Sequence, residues 1–147
     1  MSKIVNKGVL LIISSPSGAG KTSICKKLID EVDDIDLSVS VTTRKKRKDE
    51  IEGKHYFFKN EDEFNILITE NKFLEHANVF GNFYGSQYEN IISNYKDNKD
   101  VLFDIDWQGY QQLKQSNLEV VGIFILPPNK KELIKLLKTS ARDTKYE

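Results

Sequence analysis

The sequence predicts an α/β fold in three layers: a parallel sheet covered by helices on both faces, with a small lobe inserted into it. Three observations predict this. The apolar runs "GVLLIIS" (8–14), "DVLFDID" (100–106) and "VVGIFILPP" (120–128) have strand length and little polar alternation, as expected of strands buried on both faces. Segments with helical spacing separate them, the rhythm of a parallel sheet with crossover helices. Between residues 37 and 86 that rhythm breaks into shorter, aromatic-rich pieces, which reads as an insertion with its own small sheet.

Each element has a local reason. "GVLLIIS" is read as a buried strand. In "KTSICKKLIDEV" (21–32), Ile24, Leu28, Ile29 and Val32 recur at helical spacing. "LSVSVT" (37–42) alternates like a strand, and "RKKRKDEIEGK" (44–54) is a charged loop. "HYFF" is a short strand. "NEDEFNILITEN" (60–71) opens with Asn60 and Glu63 in capping-box spacing and is predicted to be a helix. "KFLEHANVFGNFYGS" (72–86), broken by Gly81 and Gly85, reads as strand, turn, strand. Ser86 and Glu89 predict a second capping box, opening a helix that runs to about Asn98. "DVLFDID" is a strand with acids at its carboxyl end, "WQGYQQLKQ" a short helix, and "VVGIFIL" a buried strand stopped by Pro127 and Pro128. Asn129 and Glu132 cap a last helix, "KKELIKLLK".

Composition narrows the function. The chain has 147 residues, and its 22 basic and 22 acidic side chains cancel. No overall basic excess draws it to nucleic acid or an anionic membrane, so any anion site must be local. No run approaches a membrane helix, and Val9–Ile13 is too short for a signal core. The single cysteine, Cys25, lies among apolar helix neighbours and reads as a structural thiol. The expected setting is the cytoplasm.

"SPSGAGKT" (15–22) follows the first strand and nearly matches G-x-x-x-x-G-K-S/T, with Ser15 at the first position. A strand must turn sharply into a helix there while backbone N–H groups point at phosphate oxygens. Gly18 and Gly20 permit that turn, and the helix start adds the positive end of its dipole. Lys21 neutralises charge between the outer phosphates, and the Thr22 hydroxyl suits Mg2+. The nucleotide site is thus assigned to Ser15, Pro16, Ser17, Gly18, Ala19, Gly20, Lys21, Thr22 and Ser23. Asp104, ending an apolar strand, is the expected partner of the metal, through water.

The inserted region carries a second set. Arg44 and Arg47 stand three apart, and Tyr56 follows on a short strand. Arginine forks bind phosphate bidentately, and tyrosine hydroxyls add neutral donors. Glu75, Tyr84 and Ser86 follow downstream. Taken singly, each also has an ordinary reading as solvated loop or core. His55 and His76 are read as packing or solvated residues.

The order of S-P-S-G-A-G-K-T, S-V-S-x-T-T-R-x-x-R, E-x-x-G-x-x-Y-x-F, F-L-E, G-x-x-Y-G-S and D-I-D-x-Q-G resembles guanylate kinase, from about Leu10 to Leu137. The resemblance implies a P-loop kinase core, a GMP-binding lobe and a mobile lid, and transfer of the γ-phosphate of ATP to GMP with Mg2+. Arg44, Arg47, Tyr56 and Tyr84 match positions that hold the GMP phosphate. Ser40, Glu75, Ser86 and Asp106 match positions around the guanine, and Asp104 matches one near Mg2+ and GMP. Lys21, Arg44 and Arg47 are the expected catalytic residues. The core is then residues 1–36 and 87–138, the GMP lobe 37–86, and 139–147 a truncated lid and C-terminal region. Asp49 departs from the family, which often has glycine there. After "ELIKLLK" the family pattern continues with lid arginines, whereas Arg142 is the only arginine in "TSARDTKYE". This sequence is therefore expected to bind GMP and turn over slowly. ATP and GMP are the expected partners, with the protein a monomer or weak homodimer. The same arginines and tyrosines would suit a non-catalytic guanylate-kinase-like module that grips phosphopeptides; the intact Gly18, Gly20, Lys21 and Thr22 favour the enzyme.

Overall fold

Alternation along β1 (Leu10–Ser14) organises the molecule. In the computed structural model, which describes residues 8–16, 20–132 and 134–135, β1 is flanked by two parallel partners. They are β7 (Asp100–Asp104), with Leu10 beside Val101 and Ile13 beside Asp104, and β8 (Val120–Phe124). A short β2 (Ile35–Leu37) extends the sheet on the far side of β7, giving the order β2-β7-β1-β8. Successive side chains point to opposite faces. Leu10, Ile12, Val101 and Phe103 therefore pack one way, with Ile91 of α3 (Tyr88–Lys96) and Leu113 of α4 (Trp107–Gln115). Ile13 and Leu102 pack the other way, with Cys25, Leu28 and Ile29 of α1 (Lys21–Glu31). Each Leu, Ile or Phe fully buried in these layers contributes roughly 1.5–3 kcal/mol. That packing fixes the carboxyl ends of β1 and β7 side by side. Burial pushes the Cys25 thiol up to about 12, so it stays protonated and structural.

The insertion forms a second sheet in the order β4-β3-β6-β5. β3 (Val41–Thr42) pairs in parallel with β4 (Phe57–Phe58) and antiparallel with β6 (Asn82–Gln87), which pairs antiparallel with β5 (Phe73–Val79). The β5–β6 turn has positive φ at both Phe80 and Gly81, as a tight two-residue hairpin requires. Phe64 of α2 (Glu61–Thr69) fills the face of this sheet, stacking on Phe73 and Phe83 at 4.6 and 5.4 Å between ring centroids. The expected capping box opens α2: Glu63 N–H donates to Asn60 Oδ1 at 2.8 Å, and Asn60 N–H to Glu63 Oε1 at 3.3 Å.

Helix α4 joins the two sheets. The Gln112 side chain pairs with both backbone groups of His76 on β5, accepting its N–H at 3.0 Å and donating to its carbonyl at 2.6 Å. One turn earlier, Gln108 Nε2 donates to the carbonyl of Asn78 at 3.0 Å.

Three expectations need correction. Residues 37–42 are not one strand: Leu37 ends β2 in the first sheet, and β3 begins at Val41 in the second. Ser86 and Glu89 do not cap α3. Ser86 lies within β6, the helix starts at Tyr88, and the Glu89 carboxylate takes Lys72 Nζ at 3.1 Å. Among the described residues the β8 run is not fully buried, since it lies at the sheet edge with Val121, Ile123 and Phe124 about half exposed. Tyr110 of α4 packs on its middle, where a Cβ at Gly122 would clash with that ring. At the other end of the chain, Asn129 Oδ1 accepts the Glu132 N–H at 2.8 Å as expected, and residues 130–132 and 134–135 are helical. The rest of that predicted helix, and the region 139–147 with Arg142, lie outside the described residues.

Candidate active site

At the carboxyl edge of the parallel sheet, β1 gives way to Ser15 and Pro16, whose carbonyl accepts the Ser15 hydroxyl at 3.0 Å. Ser17, Gly18 and Ala19 lie outside the described residues. Gly20 re-enters with φ 85°, in the left-handed region that favours glycine, and among the described residues no side chain caps the helix it starts. The first-turn amides of such a helix suit an anion. Lys21 and Thr22 open that helix and turn toward β7. Because Ile13 lies beside Asp104 in the sheet register, the Asp104 carboxylate faces them both. Lys21 Nζ sits 3.1 Å from Asp104 Oδ1, and Thr22 Oγ1 donates to Asp104 Oδ2 at 3.2 Å. A hydroxyl and a carboxylate brought together are hard oxygen donors of the kind Mg2+ takes, and Mg2+ needs only one or two protein ligands when phosphates supply others. Thr22 and Asp104 therefore fit the metal. Ser23 is exposed on the first turn.

In the lobe, the charged loop is pinned at its base. Thr42 Oγ1 donates to the Phe83 carbonyl at 3.0 Å and accepts the Arg44 N–H at 3.1 Å, while Phe83 N–H donates to Thr43 Oγ1 at 2.9 Å. The Arg44 guanidinium carbon then lies 5.2 Å from the Tyr56 ring centroid, in cation–π range. Tyr56 packs edge-on against Tyr84 at 6.0 Å. Burial first, and then the Asp104 carboxylate, push the Tyr56 hydroxyl up to about 12. The influence of Asp104 at Tyr56 brings lobe and core into one electrostatic neighbourhood. Arg44 makes a bidentate pair with Glu50, at 2.9 and 2.8 Å, and Arg47 N–H donates to Glu50 Oε1 at 2.8 Å. The sequence reading assigned no role to Glu50.

Deeper in the lobe, Glu75 is 3% exposed. Ser86 Oγ donates to its Oε1 at 2.6 Å. Its Oε2 lies against the first turn of α4, where a Cβ on Gly109 would sit only 2.5 Å away. Desolvation raises the Glu75 carboxyl to about 7, opposed by the Ser86 hydrogen bonds and reinforced by the nearby charge of Asp106. A carboxylate kept this dry and this poorly compensated is poised to accept hydrogen bonds from a ligand.

The predicted residues thus form two groups, linked through the influence of Asp104 on Tyr56. Lys21, Thr22 and Asp104 meet on the core side, and Arg44, Tyr56 and Tyr84 meet on the lobe side, with the backbone of Arg47 tied to the same loop. Glu75 and Ser86 are bonded to each other. Asp106 neighbours them, but both of its oxygens are engaged: Oδ1 accepts Gly109 N–H at 3.1 Å as the N-cap of α4, and Oδ2 accepts Gln108 Nε2 at 3.0 Å. Ser40 is buried, and its carbonyl accepts Phe57 N–H at 2.9 Å to join β3 to β4. The histidines are structural: His55 Nδ1 accepts Ile51 N–H at 2.9 Å, and the His76 ring packs beside Phe64 and Phe73. Among the described residues no helix is long and apolar enough to cross a membrane.

The profile of the guanylate kinase family matches residues 7–147. A guanylate kinase of Rickettsia bellii is 46% identical over 138 residues, covering 94% of this chain and 72% of the relative. One of Rhizobium meliloti is 48% identical over 143 residues, covering 97% of this chain and 65% of the relative. The crystal structure of guanylate kinase from Anaplasma phagocytophilum superimposes with a TM-score of 0.77 at 41% identity, over 90% of this chain and 67% of that one.

Proposed function

This chain belongs to the guanylate kinase family, and we propose that it transfers the γ-phosphate of ATP to GMP, giving ADP and GDP. The observation that carries the reading is the position of Asp104. Lys21 and Thr22 meet it from the nucleotide loop, and its charge is felt at Tyr56 in the lobe. That link supports one set of residues for the donor phosphates and another for the acceptor, as transfer between two nucleotides requires.

ATP lies with its phosphates at the amino end of α1, where Lys21 neutralises the outer oxygens. Thr22, and Asp104 through water, would hold Mg2+, which when bound offsets charge on those phosphates. Arg44, Arg47, Tyr56 and Tyr84 take the GMP phosphate. Glu75, supported by Ser86 and with Ser40 and Asp106 nearby, faces the guanine edge. Guanine offers N1–H and N2–H donors that match an ionised carboxylate. Adenine lacks that pair and leaves Glu75 unsatisfied in a dry site, a mismatch of the kind that discriminates by ~10⁴-fold. In the transfer, a GMP phosphate oxygen forms a bond to the γ-phosphorus as the bond to the bridging oxygen of ADP breaks. Positioning and charge neutralisation do most of this work, so no side-chain nucleophile is required.

The same reading takes residues 1–36 and 87–138 as the core, 37–86 as the GMP lobe and 139–147 as part of a lid and C-terminal region. It puts the protein in the cytoplasm as a monomer or weak homodimer, without nucleic-acid or membrane partners. ADP release with ATP and Mg2+ against GMP, AMP, UMP and dTMP in turn tests it. GMP is the expected preferred acceptor, and preference for any other overturns the assignment.

A further inference from the structure

We propose that Glu50 is a positioning residue for the acceptor phosphate: it turns the Arg44 guanidinium so that one edge is left to grip that phosphate. The inference rests on the reading above, in which Arg44 and Arg47 hold the phosphate of GMP.

A guanidinium carries five N–H donors in a rigid plane. Glu50 takes one from Nη1 and one from Nη2, at 2.9 and 2.8 Å, and so occupies the end-on face. The Lys45 carbonyl accepts a further one from Nη1 at 2.9 Å. These three bonds do not use Nε–H or the second proton of Nη2, which lie side by side and form the side-on fork; the Tyr56 and Tyr84 hydroxyls also interact with this guanidinium. Glu50 Oε1 also accepts the Arg47 N–H, and Glu50 N–H donates to the Arg47 carbonyl at 3.1 Å. One carboxylate thus closes the turn between the two arginines and orients the first of them. Both charged side chains are largely buried, Arg44 at 14% and Glu50 at 11% exposure, so the pair is ordered by its surroundings as well as by its own bonds. The Arg44 partnership and the Arg47 backbone bond hold the Glu50 carboxyl down at about 2, so it stays ionised at any working pH.

This placement has a cost. An ionised acid beside a site for a phosphate dianion opposes binding by simple electrostatics. If charge alone governed affinity, neutralising Glu50 would tighten GMP binding. If orientation governs, the same change weakens it. The two accounts predict opposite signs.

The test compares wild-type protein with Glu50→Gln and Glu50→Asp, measuring dissociation constants for GMP and for guanosine, which lacks the phosphate. Glu50→Gln is expected to weaken GMP binding about 10- to 100-fold, the range for losing a charged hydrogen-bond partner. Guanosine affinity should stay within about 2-fold, because Glu75 and Ser86 are untouched. Glu50→Asp keeps the charge and should recover part of the loss. Unchanged or tighter GMP binding in Glu50→Gln overturns the proposal, as does an equal loss for GMP and guanosine. Should Glu50→Gln fail to fold, Glu50→Asp carries the same comparison: a selective loss for GMP supports the proposal, and no selective loss overturns it. Wild-type protein that does not bind GMP removes the phosphate reading of Arg44 itself, a failure distinct from the others.

Discussion

Glu75 gives the molecule a pH dependence with a defined sign. In the free protein, burial and the charge of Asp106 raise its carboxyl from 4.5 to about 7, against the lowering effect of Ser86. Only the ionised form offers two acceptor oxygens to the guanine edge. With a midpoint near 7, roughly a tenth of the molecules are ionised at pH 6 and roughly nine-tenths at pH 8. Affinity for the base should therefore rise about 10-fold over that interval, with proton release on binding at pH 6. Guanosine is the right probe, because the phosphate of GMP itself titrates near pH 6. Calorimetric titration in two buffers of different ionisation enthalpy reads both the affinity and the proton. Folding carries the matching sign. Between pH 4.5 and 7 the native state binds more protons than the unfolded chain, so stability falls as pH rises, by about 3 kcal/mol once above the native midpoint. Glu75→Gln should abolish both slopes and melt higher than wild type at pH 8. A flat guanosine affinity between pH 6 and 8, or a slope that survives Glu75→Gln, would refute the reasoning.

Other consequences are equally open to measurement. Lys21→Ala removes the ammonium group from the outer phosphates and should lower kcat by ~10²- to 10³-fold while GMP affinity, measured without ATP, changes by less than about 2-fold. Gly109→Ala drives a Cβ to 2.5 Å from Glu75 Oε2 and 2.9 Å from the Ile105 side chain. It should cost about 1–3 kcal/mol of stability by overpacking and weaken guanosine binding, seen in a melting curve and a titration of the same sample. Asn60→Ala breaks the capping box of α2 and should cost about 1 kcal/mol in denaturant unfolding, with acceptor preference unchanged.

How much of this was legible beforehand depended on whether a pattern was local. β1, α1, α2, β7 and α4 were readable because apolar periodicity and capping residues act within a few positions of one another. The division of residues 35–42 between two sheets was not. "LSVSVT" satisfies the alternation of a single strand, and the chain changes sheets without a Gly or Pro to mark the place. β8 reads as buried because an apolar run cannot distinguish a central strand from one that, among the described residues, lies at an edge. Ser86 has the spacing of a cap, but the demand of a buried carboxylate across the hairpin claimed its hydroxyl. The site showed the same divide. Lys21, Thr22 and the arginines announced themselves by residue type and spacing, and family resemblance supplied Glu75 and Tyr84. Glu50 was marked only as the first residue of E-x-x-G-x-x-Y-x-F, a motif that gives its place but no task, and the turn that folds it back onto Arg44 reveals its partner.

The glutamine contacts of α4 bear on how this protein behaves in a crowded solution. β5 is the outermost strand of the lobe, and an outermost strand offers a template on which a foreign chain can zip itself. Gln112 imitates a neighbouring strand, giving and receiving one bond each at His76, and Gln108 occupies the next carbonyl along. The core thus lends the lobe a stopper made of side chains. A protein stripped of both amides should keep its fold and lose its aversion to its own kind.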